Sequence, residues 1–158
     1  MQYRPHISLD VADLEAAVRF YCAVFGVAPT KRYLDYAHFR LESPALHLAL
    51  VVNPDRDLRA RGNEHFGIEL FDRDALAKWQ GQVEATGIVP RLEQSVTCCY
   101  AIADKFWLTD PDGHEWEFWV RSDEADSMHG QGQSTIRVPE PVVCCATVAA
   151  AAKISCCG

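Results

Sequence analysis

Two stretches of the chain, HISLDVADLEAAVRFYCAVFGV from residue 6 and HFGIELFDRDALAKWQGQVEATGI from residue 65, follow one plan. That repetition limits the fold more than any other feature. In the first, His6, Ser8 and Asp10 alternate with Ile7, Leu9 and Val11, the period-two pattern of a strand with one apolar face. Asp13 is then placed to cap a helix whose apolar stripe is Leu14, Ala17, Val18, Tyr21 and Phe25, and Gly26 ends it. In the second, His65, Gly67 and Glu69 alternate with Phe66, Ile68 and Leu70; Asp74 caps a stripe of Leu76, Trp79 and Val83, with a stop at Gly87. Further strands follow each helix. YAHFRLESPALHLALV turns at Ser43-Pro44, and KFWLTDPDGHEWEFWV turns at Asp110-Pro111-Asp112-Gly113. The expectation is an α+β chain of two βαβββ modules, residues 1–60 and 61–121. Residues 122–158 follow as a polar linker and a loosely attached, cysteine-containing tail.

In each module the apolar phase of the first strand faces the helix, which leaves the histidine phase on the other side of the sheet. Two such modules side by side, within one chain or across a homodimer, would enclose a cleft lined by His6 and His65. Aligning the two turn regions sets Glu117 opposite Ala49 and Glu115 opposite His47, and Glu117 lies in the phase opposite Trp116, Phe118 and Val120. His6, His65 and Glu117 then form a two-histidine, one-carboxylate set, which suits octahedral Fe(II) with vacant positions. A carboxylate at position 49 would add a fourth protein ligand; Ala49 leaves that position open. Glu115, His47 and His38 are the alternative ligands, and a strand histidine serving only as a surface or hydrogen-bonded residue is the plainer reading.

The seven cysteines include three adjacent pairs, Cys98-Cys99, Cys144-Cys145 and Cys156-Cys157, and only Cys22 stands alone. Neighbouring Cα atoms lie ~3.8 Å apart, below the ~4.4–6.8 Å usual for a disulfide, so a bond within a pair is strained. Two thiolates can still converge on one soft atom, provided the backbone leaves the extended form that splays them to opposite faces. Cys98-Cys99 could equally be two small buried residues, and Cys22, beside Tyr21, reads as core packing. A net charge of −7 with no long Lys/Arg run speaks against a nucleic-acid partner. No apolar stretch approaches the ~20 residues of a membrane helix and the N-terminus lacks a signal-peptide pattern, so no membrane partner and a cytoplasmic, reducing setting are expected.

The segments HISLDV, FYCAVFGV, EHFGIEL and DPDGHEWEFW together resemble the vicinal oxygen chelate superfamily of glyoxalases, fosfomycin-resistance proteins and extradiol dioxygenases, over roughly residues 4–121. Within it, TCCYAIADKFWLTDPDGHEWE is similar to the organoarsenical carbon–arsenic lyases and to the cadmium-induced proteins. The resemblance implies that His6, His65 and Glu117 hold Fe(II) and that Cys98 and Cys99 bind trivalent arsenic. Its implied activity is O2-dependent cleavage of the carbon–arsenic bond of a trivalent organoarsenical such as methylarsenite, as arsenic detoxification. Tyr100, next to the thiols, would close over the substrate or donate a hydrogen bond to it, with core packing as the alternative. Two rival readings remain: a cadmium- or arsenite-sequestering thiol protein, and a glyoxalase-type lyase.

Overall fold

A computed structural model of the protein describes residues 3–54 and 65–126. The first module runs β1 (His6–Val11), α1 (Leu14–Phe25), β2 (Lys31–Arg32), β3 (Tyr36–Leu41) and β4 (Leu46–Val52). The second runs β5 (Phe66–Leu70), α2 (Arg73–Glu84), β6 (Arg91–Cys98), β7 (Ala101–Thr109) and β8 (Glu115–Glu124). Each module builds a four-stranded sheet, in the orders β1-β4-β3-β2 and β5-β8-β7-β6. In each, the first strand lies parallel to the last and the remaining pairs are antiparallel. The α+β architecture of two repeated modules is therefore the one expected, and the repeat holds at the level of register: Ser8 pairs with Ala49 as Gly67 pairs with Glu117.

Local chemistry sets the helix ends. Asp13 accepts from the Ala16 N–H at 3.1 Å, and Gly26, at φ 69°, carries the left-handed turn that stops α1 and donates its N–H to Cys22 O. The second helix starts earlier than the sequence suggested. Asp72 is its cap, accepting from the Asp74 N–H at 3.1 Å, and Asp74 sits in the first turn, where its charge favours the positive end of the helix. Strand β8 also runs past the alternating pattern. Residues 121–124 are exposed, so no hydrophobic periodicity marks them, yet they continue the ladder with β7 as far as the Ala101–Glu124 pair. The tail pairs Cys144-Cys145 and Cys156-Cys157 lie outside the described residues. Among those residues, no helix is long and apolar enough to cross a membrane.

One hydrophobic cluster serves both modules. Leu9, Val11, Phe39, Leu48 and Leu50 of the first sheet and Phe106, Leu108, Trp116 and Phe118 of the second pack with both helices. Helix α1 lies between them: the Tyr21 ring stands 6.2 Å from Phe39 and 5.9 Å from Trp116, and Phe25 makes the same two contacts at 6.2 and 6.0 Å. The Trp79 indole of α2 donates to Val24 O of α1 at 2.6 Å. Both sheets thus turn their apolar faces to a shared core, and their polar phases face away from it.

Candidate functional site

The polar face of the second sheet gathers the titratable groups. Glu117 on β8 stands opposite Gly67 on β5, where a side chain would crowd it: an added Cβ would lie 3.3 Å from Glu117 O. Its two carboxylate oxygens have different partners. Oε2 lies 3.3 Å from His65 Nε2, and Oε1 accepts from Lys105 Nζ at 2.7 Å. Burial draws the Lys105 ammonium pKa down, but the hydrogen bond and charge of Glu117 outweigh that and leave it above the usual lysine value. Lys105 is therefore a buried cation at neutral pH. The His65 ring meets Trp107 edge-on, with centroids 5.0 Å apart, and the Arg91 guanidinium lies 4.9 Å from the same indole.

The thiol pair closes the β6–β7 hairpin. Cys98 pairs with Ala101, and the two residues between them, Cys99 and Tyr100, have φ of 54° and 64°. Positive φ at both central positions is the hallmark of a type I′ turn, which matches the strand twist but strains side chains other than Gly, Asn and Asp. This is the departure from extended backbone that the pair requires. The two Sγ atoms stand 3.4 Å apart, well beyond the ~2.05 Å of a disulfide, and both thiols are free. Burial raises the Cys98 pKa, its hydrogen bond with Cys99 adds to the rise, and the charge of Lys105 opposes it.

A cavity of 150 Å³ joins the two sets: Cys98, Cys99, Lys105, His65 and Glu117 all line it, with Trp107 and Trp119 as its large apolar walls. A larger groove of 590 Å³, bordered by Ser43, Phe71 and Trp79, is lined by no histidine or cysteine, so volume alone does not select the reactive site.

Of the residues singled out from the sequence, His65, Glu117, Cys98 and Cys99 meet in this cavity. Tyr100, 38 % exposed at the tip of the turn, is not among its lining residues; its carbonyl accepts from the Ala125 N–H at 2.8 Å. His6 lies on the polar face of the first sheet, its ring 4.5 Å from that of His47, which in turn lies 4.8 Å from His38. His47 Nε2 is buried and hydrogen-bonds to nothing among the described residues. Burial, and then the neighbouring His6 and His38, lower the His47 pKa. Among the described residues no three His, Cys, Asp or Glu side chains are grouped to hold a metal ion, so His65 and Glu117 come together and His6 does not join them within the chain. The pair does fit a metal. Donors in adjacent positions of an octahedral ion with bonds of about 2.1 Å stand about 3 Å apart, close to the 3.3 Å between His65 Nε2 and Glu117 Oε2.

Lys105 is not among the residues expected at the site, although its place in ADKFWL, in the phase of Ala103 and Trp107, is the signal that it faces the cavity. The Asp110-Pro111-Asp112-Gly113 segment is more than a turn. Asp110 is the centre of a buried network: Oδ2 accepts from Tyr21 Oη at 2.7 Å and from His114 Nδ1 at 2.8 Å, and Oδ1 accepts from the N–H groups of Asp112 and His114.

Comparison with known proteins agrees with this architecture. Residues 4–118 match the model of the Glyoxalase/Bleomycin resistance protein/Dioxygenase superfamily. A probable trivalent organoarsenical cleaving enzyme of Bacillus subtilis is 38% identical over 136 residues, covering 85% of this chain and 90% of the relative. The trivalent organoarsenical cleaving enzyme of Thermomonospora curvata is 33% identical, covering 86% and 89%. A cadmium-induced protein of Mycobacterium bovis is 33% identical over 143 residues, covering 90% and 92%. A crystal structure of a glyoxalase/bleomycin resistance protein/dioxygenase from Alicyclobacillus acidocaldarius superposes with a TM-score of 0.65 at 22% identity, covering 77% of this chain and 92% of that one. Paired modules, matching register and the span of these similarities lead to one conclusion: the chain belongs to the glyoxalase/bleomycin resistance protein/dioxygenase superfamily.

Proposed function

We propose that this protein cleaves the carbon–arsenic bond of trivalent organoarsenicals such as methylarsenite, releasing inorganic arsenite. The observation that carries the reading is the free thiol pair, 3.4 Å apart, lining the same cavity as the His65–Glu117 pair. The names of the Bacillus and Thermomonospora relatives support it. Two soft thiolates select arsenic, while the harder nitrogen and oxygen donors select a first-row divalent metal. Capture forms two As–S bonds; the two thiol protons leave with the two arsenic hydroxyls as water. The turn geometry holds both sulfurs ready, so the second bond forms as an intramolecular step. Trp107 and Trp119 wall the cavity with apolar surface and limit water near the captured arsenical.

Fe(II) held by His65, Glu117 and His6, with O2 as oxidant, would supply the oxidising chemistry that breaks the C–As bond, the carbon leaving in oxidised form. Because the polar faces of the two sheets turn away from their common core, the third ligand in this reading is His6 of the partner subunit in a homodimer. Ala49 offers no fourth ligand, which separates this reading from a glyoxalase-type lyase. A second reading, sequestration of soft ions by the thiols, is favoured by the mycobacterial cadmium-induced relative.

The test is anaerobic loading with Fe(II), addition of methylarsenite, then admission of air, with arsenic species separated afterwards. Catalytic, air-dependent arsenite release is expected. Stoichiometric retention of arsenic with no release would favour sequestration, and equal release without air would refute the oxidative route.

A further inference from the structure

Beside the thiols and the His65–Glu117 pair lies one buried charge. Lys105 projects from β7 with 7% of its surface exposed. An ammonium held out of water is costly unless it is paired, so its place in this wall calls for a reason. Its partner is Glu117, and the pairing is asymmetric. Lys105 Nζ holds Oε1 at 2.7 Å, while Oε2 stands 3.3 Å from His65 Nε2. Register explains the reach: Trp107 pairs with Glu117 and Lys105 with Trp119, so Lys105 is the diagonal neighbour of Glu117 on the same face. Trp107 directly opposite keeps the ammonium on that diagonal, its ring centroid 5.7 Å from Nζ.

A carboxylate with both oxygens free can grip a metal ion through either one or both, and the second mode fills an additional coordination position. One whose outer oxygen is already held by an ammonium has a single oxygen to offer. We propose that Lys105 is a positioning residue that makes Glu117 a one-oxygen ligand, holding Oε1 so that only Oε2, beside His65 Nε2, faces the metal and one further position stays open to incoming molecules. This rests on the reading of Glu117 as a metal ligand. Partners of this kind orient ligating groups in metal sites generally. Arginine could keep the hydrogen bond; methionine fills the space and gives it up.

Cobalt(II) serves as the probe, bound to the full-length chain and to Lys105→Met, Lys105→Arg and Glu117→Gln, each checked for folding by circular dichroism. Infrared difference spectra with and without cobalt report the splitting between antisymmetric and symmetric carboxylate stretches, which is wide for one-oxygen and narrow for two-oxygen binding. Water-proton relaxation counts exchangeable waters on the cobalt. The wild type and Lys105→Arg should show the wide splitting; Lys105→Met should show the narrow one and lose one exchangeable water. Lys105→Gln, too short to reach Oε1, carries the same expectation and decides the matter if the methionine variant does not fold. An unchanged spectrum in the folded neutral variants, with cobalt binding lost in Glu117→Gln, overturns the role of Lys105 alone. Cobalt binding undiminished in Glu117→Gln overturns the ligand reading and this role with it.

Discussion

Replacing Tyr21 by Phe removes one oxygen atom from the centre of the molecule. Tyr21 is fully buried, and its hydroxyl donates to Asp110 Oδ2 at 2.7 Å while accepting from Trp116 Nε1 at 3.1 Å. Asp110 and Trp116 are 4% and 1% exposed, so no water replaces the lost partner. A hydrogen bond to a charged group contributes about 1.5–3 kcal/mol, and a buried N–H left without an acceptor costs about 1–3 kcal/mol. Phenylalanine returns part of this because no hydroxyl has to be desolvated, which leaves a net loss of about 3 kcal/mol. For a domain of this size that lowers the unfolding temperature by roughly 10 °C. Urea titration followed by tryptophan fluorescence measures it, and the slope should match the wild type because the same surface is exposed. The loss should also depend on pH. Burial raises the Asp110 pKa, but the hydrogen bonds from His114 and Tyr21 outweigh it and hold the carboxyl below its usual value. Such a group stabilises the fold above the unfolded-state value near ~3.9, and that contribution is lost as pH falls through the lower folded value. Tyr21→Phe removes one of the donors, so its deficit should be full at neutral pH, persist down to about pH 4, and narrow below. A deficit under ~0.5 kcal/mol, or one that does not narrow in acid, would refute the view that these hydrogen bonds, beyond ring packing, tie α1 to the β7–β8 turn.

Cys98→Ser or Cys99→Ser should each lower methylarsenite affinity by about 10²-fold or more, since one thiol loses the chelate effect, while metal binding persists; calorimetry with methylarsenite, and separately with cobalt(II), would read both. Tyr100→Gly removes a side chain from a φ of 64° and should raise stability by ~0.5–1 kcal/mol in urea titration; a drop would mean that the ring's packing outweighs the backbone strain. Lys105→Met removes the charge that opposes the upward shift of Cys98, so half-maximal alkylation by iodoacetamide should move to higher pH, and an unmoved curve would show that the ammonium does not act on the thiol. If His6 reaches the site across a dimer, inactive His6→Ala and Glu117→Ala subunits refolded together should recover about a quarter of wild-type turnover, from one intact site in each mixed dimer; no recovery, with mixed dimers present, would place His6 elsewhere.

The period of the apolar residues was enough to assign a face to almost every side chain that matters here. Alternation at His6/Ile7 and His65/Phe66 identifies strands with polar outer faces, and the stripe from Leu14 to Phe25 identifies the helix that covers the apolar ones. Adjacency alone marked Cys98 and Cys99, because no more than a two-residue turn is needed to bring neighbouring thiols together. The cap falls at Asp72 where the pattern suggests Asp74, because two aspartates in one turn offer the same chemistry two residues apart. What the sequence could not reveal is which faces meet. That is decided by Tyr21 and Phe25 packing on Trp116 and by Tyr21 bonding to Asp110, contacts between residues about ninety positions apart, for which local periodicity carries no information. Those contacts join the modules through one core, leave His6 ungrouped with the His65–Glu117 pair among the described residues, and let Lys105, the one lysine of β7, reach the carboxylate diagonally across the ladder.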